Sequence, residues 1–320
     1  MQFIDKKTQS LSPILRLSII IVNYKAQDYL GRCLSSIKRN LKGIDHEVIV
    51  VDNASDKEII EAIHKDFPET YLIVNAQNLG FSKAVNQGIK ISKGEYILLL
   101  NNDTEVPPAS LQVMLRVMGQ FPSTGVLGCL LMNSDHTIQE SYGMESGFFS
   151  EIIRKLFLNI LFKNSRRFWG KLLLQRFYSS DKEVDWVCGA CAVFNRKALY
   201  DVGLLNENYF MYYEDRDVCN QLKRKGWDVR FTPKASIIHH HGRSASKAPI
   251  RSARAYRQSQ LFFYKKNGGS IGFWLLKNYL YFKFSLNLGI CFFKRMLIFK
   301  NAKDQTNFNR EMLKLVRSYD

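Results

Sequence analysis

Leu17–Asn53 reads LSIIIVNYKAQDYLGRCLSSIKRNLKGIDHEVIVVDN, and this stretch decides the fold class. Leu17–Val22 is a short run rich in isoleucine, the composition of a strand buried on both faces. Ala26–Asn40 places Tyr29, Leu30, Cys33, Leu34 and Ile37 at helical spacing. Glu47–Val51 is a second buried strand that ends at Asp52-Asn53. Strand, helix and strand of these lengths make a βαβ unit, with parallel strands and a right-handed crossover.

The pattern continues outward. Lys57–Phe67 has helical spacing and Pro68 ends it, since proline lacks the N–H that a helix needs. Tyr71–Val74 reads as a third strand, Ser82–Ser92 as a helix and Tyr96–Leu100 as a fourth strand ending at Asn101-Asn102-Asp103. Pro107-Pro108 opens a helix over Ala109–Gly119. The class is α/β, Rossmann-like in plan, with a mostly parallel central sheet flanked by helices. Such sheets bind ligands beyond the carboxyl ends of their strands. Polar residues gather there: Asn23, Asp52, Asn75, Asn78, Asn101 and Asp103. Further on, Gly125–Met132, Trp186–Phe194, Val229–Thr232 and Ser236–Ile238 read as strands, and Tyr212–Asp217 opens a helix that runs to Lys225. Beyond Ser246 the pattern is helical.

Charge divides the chain differently. The 320 residues hold 46 Lys+Arg against 29 Asp+Glu, a net +17. Residues 246–320 carry 15 basic and 3 acidic groups, and residues 151–180 carry 7 and 1, leaving the rest close to neutral. Both basic segments are rich in Leu, Ile and Phe. A composition of 46% hydrophobic and 23% charged residues excludes wholesale disorder. No apolar stretch reaches the roughly 18–20 residues of a membrane-spanning helix. Met1–Pro13 is polar, without the apolar segment of a signal peptide. Six scattered cysteines read as reduced thiols of a cytoplasmic protein rather than a disulfide framework.

The first strand runs into Asn23-Tyr24-Lys25 and no glycine follows until Gly31, so the glycine-rich dinucleotide loop is missing, and so is a Walker loop. Asp52 can accept hydrogen bonds from a base N–H or a ribose hydroxyl, or can cap a turn. Asn101-Asn102-Asp103-Thr104 offers a carboxylate for Mg²⁺ or Mn²⁺ beside diphosphate oxygens, or an Asx turn before a helix. Glu214-Asp215-Arg216-Asp217 sets three carboxylates within four residues, either to supply a general base or to favour a helix dipole. Tyr209-Phe210-Met211-Tyr212-Tyr213 precedes it and suits a sugar face. Successive side chains of His239-His240-His241 point to opposite sides of an extended strand, so at most two can serve one site. Cys188-Gly189-Ala190-Cys191 has no second pair for a zinc site, and Gly189-Ala190 make room for a ligand beside Trp186.

In their order and spacing, VNYKAQDYLGRCLSSI, EVIVVDNAS, NAQNLGFSKAVNQGI, GEYILLLNNDTEV, VDWVCGACAVFNRKAL, FMYYEDRDVCNQLKRKGW and IIHHHGRSAS resemble the blocks of family 2 glycosyltransferases, in the bacterial rhamnosyltransferase-like branch. The resemblance covers Leu17 to Ser246. It implies a GT-A fold, a nucleotide-sugar donor, a divalent cation (Mn²⁺ or Mg²⁺) and inversion at the anomeric carbon. It further implies that Asp52 reads the nucleotide base and that Asn23, Asn78 and Lys83 line the nucleotide loops. Asn101-Asn102-Asp103 stands where the family has D-x-D, so that Asp103 carries the metal contact and Asn101 and Asn102 lie beside the donor. Asp215 matches the base, with Glu214 next to it. His239 matches the metal-binding histidine, because Ser244 follows five residues on; His241 is the alternative. Trp186, Gly189 and Ala190 match the sugar and acceptor wall.

The expected organisation is a tail over 1–16, a catalytic domain over 17–246 with a basic amphipathic insertion at about 151–180, and a helical extension over 247–320. The expected activity is transfer of a sugar, first dTDP-L-rhamnose as donor, to a glycan hydroxyl, with a polyprenyl-diphosphate-linked acceptor in cell-surface polysaccharide synthesis. In Glu151–Phe162 and again in residues 271–299, apolar and basic side chains combine as in helices that lie in a bilayer interface. This predicts a peripheral enzyme on the inner face of the cell membrane, with packing on the catalytic domain or a homo-oligomer as the alternative use of those helices. Two other functions compete. A nucleic-acid-binding protein would account for a pI near 9.6 but not for the acidic blocks or the interleaved Leu and Phe. A sugar nucleotidyltransferase needs a glycine-rich triphosphate loop that the start of the chain lacks.

Overall fold

A computed structural model of the chain describes residues 16–144, 151, 160, 168–240, 249–296 and 302–319. The first half alternates strands and helices: β1 (Leu17–Asn23), α1 (Gln27–Asn40), β2 (His46–Asn53), α2 (Lys57–Asp66), β3 (Tyr71–Asn75), α3 (Phe81–Ile91) and β4 (Tyr96–Leu100). Next come β5 (Thr104–Glu105), α4 (Ser110–Gln120), β6 (Thr124–Met132), β7 (Tyr142–Gly143) and α5 (Phe168–Phe177). The site-bearing part follows: β8 (Lys182–Glu183), β9 (Trp186–Val187), β10 (Cys191–Asn195), α6 (Arg196–Asp201), α7 (Glu214–Arg224) and β11 (Asp228–His239). Three helices end the chain, α8 (Pro249–Asn267), α9 (Gly269–Met296) and α10 (Ala302–Arg317).

The main sheet has the order β3-β2-β1-β4-β10-β6-β11-β5, with β8 on β11. β1 pairs in parallel with β2 and with β4, and β2 with β3, as expected of βαβ units. β10 inserts antiparallel between β4 and β6, and β6 pairs in parallel with β11. Alternate side chains separate the two cores. Ile19, Ile21, Val48, Val50 and Leu98 pack with Leu30, Leu34 and Ile37 of α1 and with Leu111, Met114 and Leu115 of α4. Ile20, Ile97 and Leu99 pack with Val85 and Ile89 of α3 and with Val218 and Leu222 of α7. Burial on both faces is why these strands read as unbroken apolar runs.

Two strand readings need correction. Trp186–Phe194 is two strands: the segment turns at Cys188-Gly189-Ala190, β9 leaves the main sheet to pair with β7, and only β10 enters it. Val229–Thr232 and Ser236–Ile238 belong to one strand, whose register against β6 shifts between Thr232 and Ser236. Pro233 lies in that shift and has no N–H for a ladder.

Helices α8–α10 carry a hydrophobic cluster of their own, formed by Leu261, Tyr264, Leu276, Leu280, Phe284, Met312, Leu313 and Val316. They also dock on the 209–217 segment. Ser259 Oγ donates to the Met211 carbonyl at 2.8 Å, and Tyr209 meets Phe262 edge-on. Lys266 Nζ reaches both oxygens of Asp217 at 3.0 and 2.7 Å. The expected boundary at 246/247 and half of the 151–180 insertion, residues 152–159 and 161–167, lie outside the described residues. Among the described residues no helix is long and apolar enough to cross a membrane.

Candidate active site

The sheet brings four strand ends together. The parallel register sets Asn23 of β1 beside Asp52 of β2. Asn23 Nδ2 donates to Asp52 Oδ2 at 2.9 Å, and the Ser55 N–H donates to Asp52 Oδ1 at 2.7 Å. Asp52 is therefore a buried carboxylate fixed by the Ser55 N–H and by a neighbouring amide, and the helix cap of α2 falls on Asp56 instead. Asn102 Nδ2 donates to Asn23 Oδ1 at 2.8 Å, linking the end of β4 to this pair.

The loop after β3 is held by the Gly80 N–H, which donates to Asn78 Oδ1 at 2.9 Å, and by Asn53 Nδ2, which donates to the Gly80 carbonyl at 3.1 Å. Gly80 has φ of +89° and lies so close to Phe210 that a Cβ would sit 2.7 Å from its carbonyl oxygen. Only glycine suits both conditions. Lys83, in the first turn of α3, is exposed.

The short pairing of β5 with β11 places His239 opposite Thr104, one residue after Asp103. His239 Nε2 lies 3.3 Å from Asp103 Oδ1 and 3.4 Å from Asn101 Nδ2, and both His239 and Asp103 are buried. His239 Nδ1 meets Gln139 Oε1 at 2.9 Å. Gln139 Nε2 donates to the His239 carbonyl at 2.7 Å and to Asn133 Oδ1 at 2.6 Å, so the amide oxygen is the atom that faces the ring. With Nδ1 engaged by the amide oxygen, Nε2 is the ring atom turned toward the Asp103 carboxylate. A carboxylate oxygen and an imidazole nitrogen at this separation fit a shared cation, and an acceptor oxygen holding the far ring nitrogen orients the imidazole as the outer partners of metal-binding histidines do. Asp103 and His239 thus fit a divalent ion as a two-residue set that leaves coordination positions to a ligand's oxygens. Among the described residues no group of three or more His, Cys, Asp or Glu side chains converges on one point. His240 points the other way, bonding Glu105 at 2.8 Å and Ser134 at 2.8 Å. His241 and Ser244 lie outside the described residues.

The carboxylates of α7 part company. Asp215 Oδ2 accepts from the Gly189 N–H at 3.1 Å and Oδ1 accepts from the Arg216 N–H at 2.8 Å. Burial raises its pKa above the ordinary aspartate value, opposed by the Arg216 guanidinium and these N–H groups. Glu214 is pushed up to about 8, by burial first and by the Asp215 charge second, and its Oε2 is buried without a partner. Asp217 is fully buried on the far side and committed to Lys266, Asn267 and Gln221. The Asn101 N–H donates to the Ala190 carbonyl at 3.0 Å, so the Gly189-Ala190 turn bridges the end of β4 to Asp215. Trp186 is buried, with the Arg216 guanidinium 4.2 Å from its ring centroid and Tyr213 on that cation's other contact at 4.8 Å. Cys188 and Cys191 are free thiols, Cys188 raised to about 12 by burial.

Sequence reasoning missed Gln139 and Arg216. Gln139 lies 100 residues from His239 in a stretch without periodicity, so nothing local marks it. Arg216 stood inside the acidic cluster, and only the fold shows that it stacks on Trp186.

A family model described as glycosyl transferase family 2 matches residues 18–203. An N-acetylglucosaminyl-diphospho-decaprenol L-rhamnosyltransferase of Mycobacterium tuberculosis is 26% identical over 77% of this chain and 83% of its own length. A low-salt glycan biosynthesis hexosyltransferase of Haloferax volcanii is 27% identical over 70% of this chain and 66% of its own. A mannosyltransferase of Pyrobaculum calidifontis, solved with GDP-Man and Mn²⁺, superposes with a TM-score of 0.51 at 14% identity, covering 94% of this chain and 86% of that one. GalNAc-T7, solved with UDP, GalNAc and Mn²⁺, gives 0.52 at 14% identity over 79% of this chain and 50% of that one. These two likenesses concern the fold, which is that of GT-A glycosyltransferases. With more than half of its length matched by the family model, the chain belongs to glycosyl transferase family 2.

Proposed function

We propose that the protein transfers a sugar, L-rhamnose from dTDP-L-rhamnose in the first instance, to a hydroxyl of a polyprenyl-diphosphate-linked glycan, with inversion at the anomeric carbon. The observation that carries this is the tie from Asp215, through Gly189-Ala190, to Asn101 at the end of β4, two residues ahead of Asp103 and the His239 it faces. These contacts link the turn beside a base-type carboxylate to the segment that leads into a cation-type pair, which supports the reading. The choice of sugar and acceptor rests on the mycobacterial relative, whose name states both. The enzyme would work on the inner face of the cell membrane, where such acceptors are elongated for cell-surface polysaccharide.

In this reading Asp215 takes the proton from the acceptor hydroxyl, the oxygen bonds to the anomeric carbon, and the bond to the nucleoside diphosphate breaks with its electron pair on the phosphate oxygen. Gly189 and Arg216 N–H groups fix the direction in which Asp215 presents its lone pairs. One carboxylate suffices, because a single displacement forms no covalent enzyme intermediate. Asp52, Asn23 and Asn102 bind the nucleoside side, with Asn78 and Lys83 on the adjoining loop. Asn101, Asp103 and His239 face the diphosphate. Bound there, a divalent cation supplies the counter-charge that the leaving diphosphate needs. Trp186, Gly189 and Ala190 line the sugar and acceptor side, Trp186 as the buried platform under Arg216.

The test is a donor panel. Purified full-length protein with Mn²⁺ is offered dTDP-, UDP- and GDP-sugars, and nucleoside diphosphate release is measured. Release from dTDP-rhamnose above the others is expected. Release of inorganic diphosphate from a nucleoside triphosphate and a sugar phosphate would instead assign a nucleotidyltransferase.

A further inference from the structure

Helix α9 has two apolar faces, and among the described residues only one is packed against the rest of the protein. Leu276, Leu280 and Phe284 are buried against the cluster that includes Leu261 and Tyr264 of α8 and Met312 and Val316 of α10, and Cys291 is buried beside Gln305 and Asn309 of α10. At about 100° per residue these four fall on one side of the helix. Ile271, Trp274, Phe282, Leu286 and Phe293 fall on the opposite side and are 76%, 62%, 67%, 53% and 67% exposed, with the exposed Ile290 at the flank. The stripe runs nearly the whole 28-residue helix, about 42 Å at 1.5 Å per residue. An exposed apolar surface of that length marks a site of association with a partner or a membrane.

Charge chooses the occupant. Residues 246–320 carry a net +12. A second copy docked on this face would bring another +12 against it, so self-association is opposed by like charge. An anionic lipid surface combines an acyl boundary for the stripe with headgroups for the lysines and arginines. Nucleic acid would match the charge but not the row of Ile, Phe and Leu. Because its other face is packed on protein, α9 lies along the bilayer rather than across it.

We infer that the exposed face of α9, led by Trp274, Phe282 and Leu286, is the surface by which the protein docks on an anionic bilayer. This deepens the reading of a membrane-linked acceptor and rests on that reading only for its purpose. The same helices hold the base-bearing segment through Lys266 and Asp217, so docking on α9 presents the site to the membrane surface at a fixed orientation.

The experiment is vesicle flotation of the full chain without any sugar substrate. Vesicles of phosphatidylcholine with about one third phosphatidylglycerol are compared with phosphatidylcholine alone, at low and high salt. Two variants are carried along, the triple Trp274→Ser, Phe282→Ser, Leu286→Ser and the single Phe282→Glu, with their melting temperatures checked. All three positions are exposed, so the fold is expected to hold. Expected are flotation of the wild type with the anionic vesicles, its decline at high salt, and at least a tenfold loss of the bound fraction in both variants. Wild-type protein that stays soluble, or variants that float as well as wild type, would overturn the inference. So would a wild-type dimer that the variants split, since the face would then belong to a second copy. Failure here leaves sugar transfer standing, and failure of the donor panel leaves the docking surface standing.

Discussion

Asp103 and His239 were legible as single residues in the sequence, but their meeting was not, because it depends on a two-residue strand, β5, pairing with β11. Asp103→Ala and His239→Ala are each expected to weaken Mn²⁺-dependent nucleotide-sugar binding by tenfold or more, measured by calorimetry with and without EDTA. A silent His239→Ala beside a damaging His241→Ala would move the ligand two residues along. Glu214 makes a separate prediction. Its folded pKa, about 8, lies above its ordinary value, so the folded state holds the proton more tightly than the unfolded state across that window. Stability from this group is therefore full below its ordinary pKa and is lost as pH rises toward 8. Glu214→Gln keeps the shape without the ionisation. The variant should melt a few degrees above wild type near pH 8, with no advantage at pH 4. A pH-independent difference would contradict this. For Asp215, also raised, the acidic limb of the rate profile should lie above the ordinary aspartate range.

At the scale of elements, βαβ periodicity exposed β1 to β4 and their helices to within a residue or two, since burial on both faces writes itself into continuous apolar runs. It did not expose the turn at Cys188-Gly189-Ala190, because β9 and β10 together look like one apolar strand. That turn holds Asp215, the proposed base, through the Gly189 N–H. A Cβ on Gly189 would lie 3.3 Å from Asp215 Cβ, so Gly189→Ala must push the carboxylate by a few tenths of an ångström. Turnover is expected to fall about tenfold with donor affinity little changed, since misplacement of about 1 Å at a reacting group can cost 10²-fold. Unchanged turnover would show that the turn does not set the geometry. The junction of α7 and α8 is the other element-scale feature. Tyr212 and Tyr213, with φ of 72° and 66°, hold a backbone conformation that L side chains seldom adopt, just ahead of Glu214 and Asp215. Tyr213 donates to Glu151 at 3.1 Å, and Asp217 takes Lys266, Asn267 and Gln221. Lys266→Met removes one charged hydrogen-bond donor from a buried carboxylate and should cost roughly 1–3 kcal/mol by denaturant unfolding. No loss would mean that α8 is not clamped there.

At the scale of the molecule, a nearly neutral GT-A body is joined to a strongly basic helical unit, and the two meet on the segment that carries Asp215. The charge partition was visible in the sequence. The clamp was not, because Asp217 looked like a third site carboxylate and Lys266 like one more tail lysine. Single-displacement sugar transfer with Asp215 as the base is the reaction proposed for the whole molecule. Its most direct measurement sets wild type beside Asp215→Asn, with dTDP-rhamnose, Mn²⁺ and an N-acetylglucosaminyl-diphospho-polyprenol acceptor, following product formation, its anomeric configuration by NMR and donor affinity by calorimetry. A product inverted at the anomeric carbon is expected and, in the variant, unchanged donor affinity with turnover lower by about 10²–10⁴. Retention of configuration, or a variant that keeps more than half the wild-type rate, would contradict it.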